Sequence, residues 1–522
     1  MTTPVFNVHR RIVFTVMWVS VLPTYGQQNR PGLMSDATEV PFRTFYAACA
    51  AAKSAGMALA VTKTWVVNSS SSCPSPLFFT GGKIKPATGQ TVVFTVQSAP
   101  PSTICDTSMG GNCRLTNTTV DPTWFSGSDV GAQINAAGAA LSNGGTIDAR
   151  SLSGTISTSI TLNNSVVLRL GNGVYSGSVS PLISISAGAE VTVQGIARGK
   201  TELRYTGSGA GDIIRCGSSS ATSISCAYVK VENVAWRPME GSVSTVGFHA
   251  YNPLFVSLIN IWSMHSTCTG SLSDPTPRQG SCGTGSSLGY SNNIGTKFDM
   301  TSGSNTVPPA GDIRVSGWID ATGRGNDSTS GTSKGIWFAG LPGVNQSLVN
   351  NVLDGAGDSE STNVPLELDY AVNTTVGGGW LFAGSTSFKS VGSQSVQLIE
   401  TRFTNATVEH WNIDSNSYDV VLNGVTVSTP NTLGTDKGKR TITMIQCCAG
   451  ASWNLEGVSL AAATLQVGTI FTVATLPPCN PTNEGKHSGV KDASAPVALS
   501  AVTGGGTVHV GVYCNGSVWI VQ

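Results

Sequence analysis

Charged residues are scarce in this sequence of 522 residues. They make up 11% of it, against about 25% in an average globular protein, and 29 basic residues balance 29 acidic ones. Nucleic acids and anionic membrane surfaces are bound by clustered Lys and Arg, and the sequence shows no such cluster. The composition therefore predicts no nucleic-acid partner and no lasting attachment to a membrane.

Apolar runs long enough to span a bilayer are also missing. The run at residues 12–22 is shorter than the roughly 20 residues that a membrane helix needs. Arg10 and Arg11 precede it and small or turn-forming residues follow it, as in a secretory signal peptide that is cleaved near Gly26. We therefore expect residues 1–26 to be removed and the mature protein to be secreted. A short N-terminal membrane anchor is the alternative.

Zinc-binding motifs are absent, although the chain has 12 cysteines. It contains no CxxC pair and no His-rich cluster, so no structural zinc site is expected. In an oxidising compartment, cysteines that lie close in sequence would staple loops as disulfides, although the sequence does not settle the pairing. The close pairs are Cys49/Cys73, Cys105/Cys113, Cys216/Cys226, Cys268/Cys282, Cys479/Cys514 and the adjacent Cys447/Cys448.

A short pattern recurs along the chain: apolar, any residue, apolar, any residue, Asn or Gly, apolar. The alternating apolar positions are typical of a short strand with one buried face, and the Asn or Gly allows a bend. Several copies recur roughly every 27 to 34 residues, which indicates a solenoid. The copies begin at Val191, Val229, Val256, Ile313 and Trp453, with looser copies at Ser347 and Val408.

Two segments resemble the opening of proteins of the pectate lyase superfamily. Residues 81–92, Gly-Gly-Lys-Ile-Lys-Pro-Ala-Thr-Gly-Gln-Thr-Val, look like a first rung, as in pectate-lyase-like and tailspike-like proteins. Residues 129–150 resemble the superfamily's opening signature, which is a short helix, a turn at Gly144 and Gly145, and a first strand. The resemblance covers about residues 123–460 as a pattern. It implies a right-handed parallel β-helix.

An all-β solenoid with closed ends follows from these patterns, because an open end would expose apolar core and unpaired strand edges. We expect an N-terminal cap and first strands over residues 27–122, with one helix within residues 41–60. The parallel β-helix is expected over residues 123–465. A small C-terminal β module is expected over residues 466–522.

Equivalent residues of successive rungs would stack at about 4.8 Å, the spacing of neighbouring strands. Asn233, Asn260, Asn351 and Asn412 occupy the bend position of their repeats. We expect them to form a structural ladder of hydrogen-bonded amides. His249 and His410 are expected to be histidines packed in the core.

A pair of carboxylates is the leading candidate for chemistry. Asp320 and Asp354 each lie two residues beyond the last apolar position of a repeat, so they would lie one rung apart if those repeats are neighbours. At roughly 5 Å two carboxylates repel, one pKa rises, and an acid can coexist with a base or nucleophile. This separation is near that of retaining glycosidases. Calcium bound by the same oxygens is the alternative use of the pair.

The neighbouring polar residues extend this candidate site. Asp358 and Arg324 lie four residues further on, where they could form a salt bridge between rungs, and Glu367 and Asp369 complete an acidic neighbourhood. A solvated turn with one ion pair is the competing interpretation. We assign catalysis to Asp320, Asp354, Asp358 and Arg324, and substrate binding to Asp327, Glu360, Trp337, Glu400 and Arg402.

The predicted function is that of a secreted protein that binds an extended polysaccharide and acts on it as a lyase or glycoside hydrolase. In a lyase, Arg402 could serve as the eliminating base with calcium, although an Arg beside Glu400 is also typical of a salt bridge. The polygalacturonase motifs do not occur, and the Trp-Ile-Asp-His run of calcium pectate lyases is matched only up to Asp320, since Ala321 replaces the His. A non-catalytic adhesion or tailspike-like binder, alone or as a homo-oligomer, is the alternative.

Overall fold

The structure is a computed structural model. It describes residues 32–36, 42–141, 143–163, 165–238, 245–264, 293–301, 310–320, 333–343, 347–360, 363–404, 406, 408–427, 434–445, 454–455 and 470–522. Strands dominate these residues, which also contain two α-helices. The predicted signal peptide, residues 1–26, lies outside them. No helix among the described residues is both long enough and apolar enough to cross a membrane.

The N-terminal region combines one helix with short parallel strands. Helix α1 (Phe45–Ser54) is rich in alanine, the best helix former, and the Thr44 side chain caps it by accepting from the Ala47 backbone N–H. The helix buries Phe45 and Cys49, and Cys49 is bonded to Cys73. The strands of this region are β1 (Leu33–Ser35), β2 (Ala58–Val61), β3 (Thr64–Val67), β4 (Ser71–Ser72), β5 (Leu77–Phe79), β6 (Lys83–Pro86), β7 (Thr91–Phe94), β8 (Val96–Ser98) and β9 (Asn112–Leu115).

Helix α2 (Val130–Ala140) stands at the start of the coil. Asp129 caps it, because its carboxylate accepts from the backbone N–H groups of Gly131 and Ala132. The strands that accompany and follow it are β10 (Thr119–Val120), β11 (Gly145–Ala149), β12 (Gly154–Thr155), β13 (Ile160–Leu162), β14 (Val166–Leu170), β15 (Gly173–Gly177), β16 (Ile183–Ile185), β17 (Val191–Gln194), β18 (Thr201–Tyr205), β19 (Gly211–Cys216), β20 (Cys226–Glu232), β21 (Ala235–Arg237), β22 (Thr245–Tyr251), β23 (Pro253–Ile259), β24 (Trp262–Ser263), β25 (Ile294–Asp299), β26 (Arg314–Ser316), β27 (Ile319–Asp320), β28 (Lys334–Ala339), β29 (Val349–Asp354), β30 (Asp358–Glu360), β31 (Val364–Asp369), β32 (Val372–Val376), β33 (Leu381–Ala383), β34 (Thr386–Val391), β35 (Gln394–Ile399), β36 (Arg402–Thr404), β37 (Glu409–Ile413), β38 (Tyr418–Val427), β39 (Gly434–Asp436), β40 (Ile442–Ile445) and β41 (Asn454–Leu455).

These strands wind into a parallel coil with three faces. The front sheet has the order β13-β16-β19-β22-β25-β28-β31-β34-β37-β39-β41. The strand after each front strand lies on a side sheet that begins β11-β14-β17-β20, and the next lies on a back sheet that begins β12-β15-β18-β21. Every strand pairing described in the coil is parallel. The predicted all-β solenoid is therefore confirmed as a parallel β-helix.

The register confirms the first copies of the sequence repeat. Val193 of β17 pairs with Val231, Val231 with Leu258, and Leu258 with Val315. All four side chains are buried. The period-two alternation of the sequence therefore corresponds to the inward face of the side sheet.

The bend between the side and back sheets explains the Asn or Gly of the repeat. Asn233, Asn260 and Gly317 have φ angles of 59°, 54° and 61° there, a left-handed conformation that Gly and Asn adopt most readily. The Asn260 amide donates to the Asn233 side-chain oxygen over 2.6 Å, which confirms this part of the ladder.

Two other members of the predicted ladder are placed elsewhere. Asn351 lies inside β29, where its buried amide donates to the Leu348 carbonyl oxygen at 2.6 Å. Asn412 lies on the front sheet in β37. The prediction that the looser repeats at Ser347 and Val408 place their Asn at the bend is therefore wrong. The copy at Trp453 is described only in part.

The interior of the coil is filled with stacked apolar side chains. Phe298 and Phe338, on successive front strands, have ring centroids 4.9 Å apart and are fully buried. Trp318 is fully buried, and His410 packs in the core as predicted, at 1% exposure with its ring nearly parallel to that of Phe403. Burial of each large apolar side chain contributes roughly 1.5–3 kcal/mol. This continuous core fixes which side chains face outward.

A separate small sheet follows the coil in the sequence. That sheet has the order β42 (Ile470–Phe471), β43 (His487–Ala493), β44 (Val508–Cys514) and β45 (Trp519–Val521). In it, β43 is antiparallel to β44, and β44 is antiparallel to β45.

Disulfides close several short loops. Of the predicted cysteine pairs, Cys268/Cys282 and Cys447/Cys448 lie outside the described residues. The confirmed disulfides are Cys49–Cys73, Cys105–Cys113, Cys216–Cys226 and Cys479–Cys514.

Candidate functional site

The predicted carboxylate pair is not brought together in the expected way. Asp354 ends β29 on the side sheet, level with Ser316, whereas Asp320 ends β27 on the back sheet, level with Ser359. The predicted register was wrong because Leu353, not Val349, pairs with Val315, so the bend of this rung lies at Gly355, with a φ of 69°, and not at Asn351. Asp354 is instead ion-paired with the exposed Arg314.

The other predicted residues are scattered over the side and back sheets. Asp358 pairs with Ile319 on the back sheet. Glu400 is exposed at the bend between these sheets, and Arg402 is exposed on β36. Arg324 and Asp327 lie outside the described residues, as do the side-chain positions of Asp320 and Glu360. The catalytic and binding roles given to these residues stay predictions.

Trp337 is the exception, since it lies among charged side chains on the front sheet. Two ammonium groups contact its ring. Lys334 Nζ, from the same strand β28, lies 3.3 Å from the ring centroid, and Lys297 Nζ, from the neighbouring strand β25, lies 4.5 Å from it. Its indole Nε1 donates to Asp369 Oδ2 over 2.7 Å. Such cation–π contacts favour a fixed ring orientation. Trp337 therefore indicates where to look for a site.

The outward side chains of the front sheet form a line, which we call the front strip. Strand pairing places one residue of its central line on each successive rung, at a spacing of about 4.8 Å. The central line consists of Arg215, His249, Lys297, Trp337, Glu367 and Lys389. The front strip also includes residues that flank this line on the same strands, which are Asp212, Tyr251, Asp299, Lys334 and Asp369.

Glu367 is the buried charge at the lower part of the front strip. Its side chain is only 3% exposed, and its two oxygens face Lys334 Nζ at 2.5 Å and Lys389 Nζ at 2.8 Å. Burial would lower the pKa of Lys389, but the hydrogen bond to Glu367 raises it above the ordinary value. Both oxygens of Glu367 are therefore already engaged by ammonium groups, in charge-assisted contacts that are among the strong ones.

Asp369, two residues further along the same strand, has the opposite character. Burial and the negative charge of Glu367 raise its pKa to about 6, against which the hydrogen bond from Trp337 acts only in part. Its second oxygen, Oδ1, is buried without a hydrogen-bond partner among the described residues. A partly buried carboxyl group with a perturbed pKa, next to a second carboxylate and in contact with an indole, is a candidate for acid–base chemistry.

His249 forms a second charged centre on the front strip. Its Nδ1 faces Asp212 Oδ1 at 3.0 Å and its Nε2 faces Asp299 Oδ2 at 3.1 Å. Burial lowers the pKa of His249, but the hydrogen bonds to both carboxylates outweigh it and raise the pKa. Lys297 also contacts Asp299, over 2.7 Å. The histidine is buried, as predicted, but it bridges two carboxylates instead of filling apolar space.

The sequence predicts Glu367 and Asp369 only as acidic neighbours of the Asp320/Asp354 pair. A signal for the front strip does exist, because Lys297-Phe-Asp299 and Glu367-Leu-Asp369 share a charged–apolar–charged alternation at the end of a strand. Their apolar middle residues point into the core. Among the described residues, no group of three or more His, Cys, Asp or Glu side chains is arranged to hold a metal ion.

The strand pairing defines the protein as a parallel β-helix with a charged strip on one face. No family model matches the sequence, and no curated protein does. Among solved structures, the A-module of the mannuronan C-5 epimerase AlgE4 of Azotobacter vinelandii is similar, with 10% identity over 81% of this chain and 97% of that one and a TM-score of 0.21. A likeness this low carries no argument about substrate or reaction, and the fold rests on the strand pairings themselves.

Proposed function

We propose that the protein binds an extended polysaccharide along the front strip and acts on it as a carbohydrate-active enzyme, a lyase or glycoside hydrolase of the pectate lyase superfamily type. The observation that carries this proposal is the Asp369 carboxyl, with a pKa of about 6, next to the paired Glu367 and in contact with the Trp337 indole. Secretion is part of the same proposal, because four disulfides favour an oxidising compartment.

An extended ligand fits the shape and chemistry of the front strip. From Arg215 to Lys389 the strip spans five rung steps, or about 24 Å at 4.8 Å per rung. Trp337 supplies an aromatic surface, which suits the apolar faces of sugar rings. The ammonium groups of Lys297, Lys334 and Lys389 are paired with Asp299 and Glu367, so a sugar carboxylate would share them with these side chains.

Both reactions need a group that exchanges a proton near neutral pH. General acid–base catalysis is most effective when the pKa lies close to the working pH, and it contributes about 10²- to 10⁴-fold. Asp369 meets this requirement because it is protonated below and ionised above a pH of about 6. As an acid it would protonate a leaving oxygen, and as a base it would remove the proton next to a sugar carboxylate.

The first test compares Asp369→Asn with a matched control, Asp354→Asn. Asparagine retains an acceptor for Trp337, so we expect Asp369→Asn to fold and to lose about 10²- to 10⁴-fold in turnover. Asp354 is ion-paired with the exposed Arg314 on the side sheet, away from the front strip, so its variant should stay active. Turnover is measured on polyuronates and neutral glucans, with and without calcium, as unsaturated product for elimination and as new reducing ends for hydrolysis.

The pH profile of the wild type adds a second readout. Activity that falls as the pH rises through about 6 indicates that Asp369 acts as an acid, whereas activity that falls as the pH drops through about 6 indicates a base. Full activity of Asp369→Asn would remove Asp369 from the mechanism. If Asp354→Asn is the inactive variant instead, the side-sheet residues predicted from the sequence regain priority.

A non-catalytic polysaccharide-binding protein is the second candidate. It is favoured by the mutual neutralisation within the front strip, where Glu367 already engages two lysines and His249 two aspartates. For this function the wild type should bind a polymer without releasing product. Asp369→Asn should then bind the polymer as tightly as the wild type.

A further inference from the structure

A second line of outward residues runs along the edge where the chain enters the side sheet. We call it the corner column. Each member has a left-handed backbone, with φ between 50° and 57°, and strand pairing places the members on successive rungs. The corner column consists of Tyr228, Phe255, Asp312, Asn350, Asn373, Ser395, Asp419 and Arg440.

The first two positions of the corner column carry aromatic rings that face solvent. Tyr228 is 55% exposed and Phe255 is 45% exposed. Their rings are stacked with centroids 5.1 Å apart and an interplanar angle of 25°. They therefore form a small aromatic platform on the outside of the solenoid rather than part of its core.

Polar side chains continue the line below this platform. The Asn350 amide donates to Asp312 Oδ1 at 3.4 Å, and the Asn373 amide donates to Asn350 Oδ1 at 3.3 Å. These are long hydrogen bonds, and Asn350 and Asn373 are exposed, so their remaining donors and acceptors face solvent. An aromatic platform followed by exposed amides combines the two kinds of contact that a sugar chain can make.

The choice of side chains shows that backbone geometry alone does not explain the corner column. At the bend between the side and back sheets a similar left-handed φ is met mostly by the residue types that tolerate it. These are Asn233, Asn260, Gly317, Gly355 and Gly424, and Glu400 is an exception. A bulky aromatic with positive φ is an outlier, and such strain persists mainly where it serves a function.

We propose that the corner column is a second carbohydrate-binding surface, which takes the apolar faces of pyranose rings of a neutral polysaccharide on Tyr228 and Phe255. Its exposed amides then accept and donate hydrogen bonds to the sugar hydroxyls further along the chain. A neutral polymer is favoured because Asp312 directly follows the platform and repels sugar carboxylates. This goes beyond the proposed function, since it requires binding alone and no residue of the front strip.

The test uses the full chain and two hexasaccharide probes, cellohexaose and hexagalacturonate, in calorimetric titrations. The double variant Tyr228→Asn/Phe255→Asn removes the platform but keeps a residue type that tolerates the left-handed backbone. We expect its affinity for cellohexaose to fall at least about tenfold while its unfolding temperature is unchanged or higher. Tyr46→Asn, at a tyrosine that is 58% exposed on α1, is the matched control and should bind as the wild type does.

Each other outcome overturns the proposal. If the double variant unfolds at a lower temperature but binds cellohexaose normally, the aromatic stack only supports the fold. If only hexagalacturonate binds the wild type in a platform-dependent way, the assignment to neutral polymers is wrong. If neither probe responds to the double variant, the corner column does not bind these sugars. Asp369→Asn should leave this binding intact, so failure of the catalytic proposal is seen separately.

Discussion

At the scale of single residues, His249 shows how a buried charge is stabilised. Its imidazole is 9% exposed and lies between two aspartates, Asp212 and Asp299. Burial of an unpaired charge is strongly unfavourable, but a carboxylate at each ring nitrogen favours the protonated form and raises the pKa of His249. Burial would raise the pKa of each aspartate, but the hydrogen bonds from His249 contribute to lowering both.

The variant His249→Gln tests this bridge through the pH dependence of stability. Because the folded pKa of His249 is raised, its contribution is fully present below about pH 6.5, the ordinary pKa, and is lost as the pH rises through the folded value. We expect the variant to be less stable by about 2 kcal/mol near pH 6 and to approach the wild type at higher pH. Urea unfolding at several pH values measures the difference.

The same substitution at an exposed histidine, His509→Gln, is the control for this measurement. It should leave the free energy of unfolding within about 0.5 kcal/mol of the wild type at every pH. A constant difference between His249→Gln and the wild type across the pH range would mean that the ring is held uncharged.

The burial of His249 was predictable from the sequence, whereas its partners were not. Asp212 and Asp299 are 37 and 50 residues away along the chain, so no local pattern connects them to the histidine. Only the strand register brings three successive rungs to the same place. The charged centres of the front strip were missed for this reason, although Trp337, a member of that strip, was chosen.

At the scale of strands and bends, the repeat predicted the side sheet well and failed where the backbone turns left-handed. The copies from Val191 to Val315 pair in the expected register. In β29, however, the bend lies at Gly355, which has a φ of 69°, so Asn351 points inward as a strand residue. Asn351 and Gly355 are both residues that allow a bend, so the sequence alone does not decide between them. Because of such register errors, the residues predicted as the site lie mostly on the side and back sheets instead of the front sheet.

Glu400 provides a test of the bend itself. It occupies the position that Asn and Gly fill in other rungs, with a φ of 52°, and its side chain is exposed. A side chain with a Cβ costs roughly 1–2 kcal/mol in this conformation relative to glycine. We therefore expect Glu400→Gly to raise the free energy of unfolding by about 0.5–1 kcal/mol, because glycine also increases the entropy of the unfolded chain.

The control for this variant is Glu400→Gln, which removes the same charge and keeps the strained Cβ. Its stability should match that of the wild type within about 0.5 kcal/mol. Thermal and urea unfolding of the three proteins decide the question. A gain of equal size in both variants would attribute the effect to charge instead of backbone conformation.

At the scale of the whole molecule, the coil is a stack in which each rung contacts mainly its neighbours. Solenoids of this kind have stabilities that are approximately sums over rungs and the interfaces between them. The class of fold was predictable because the period-two pattern and its recurrence are properties of the whole chain. The position of the site was not, because it depends on which face of the stack carries the charged residues.

A cavity in the middle of the stack tests whether the rungs are only loosely linked. Phe338 is fully buried against Phe298, so Phe338→Ala should cost about 3–5 kcal/mol. In a one-dimensional stack the loss stays local. Hydrogen exchange in mild denaturant should then show β28 and the adjoining β25 and β31 losing protection first, while β14 and β17 stay protected. Phe255→Ala removes the same atoms from an exposed ring and should leave all five strands protected, whereas simultaneous loss along the coil in Phe338→Ala would show that it unfolds as one unit.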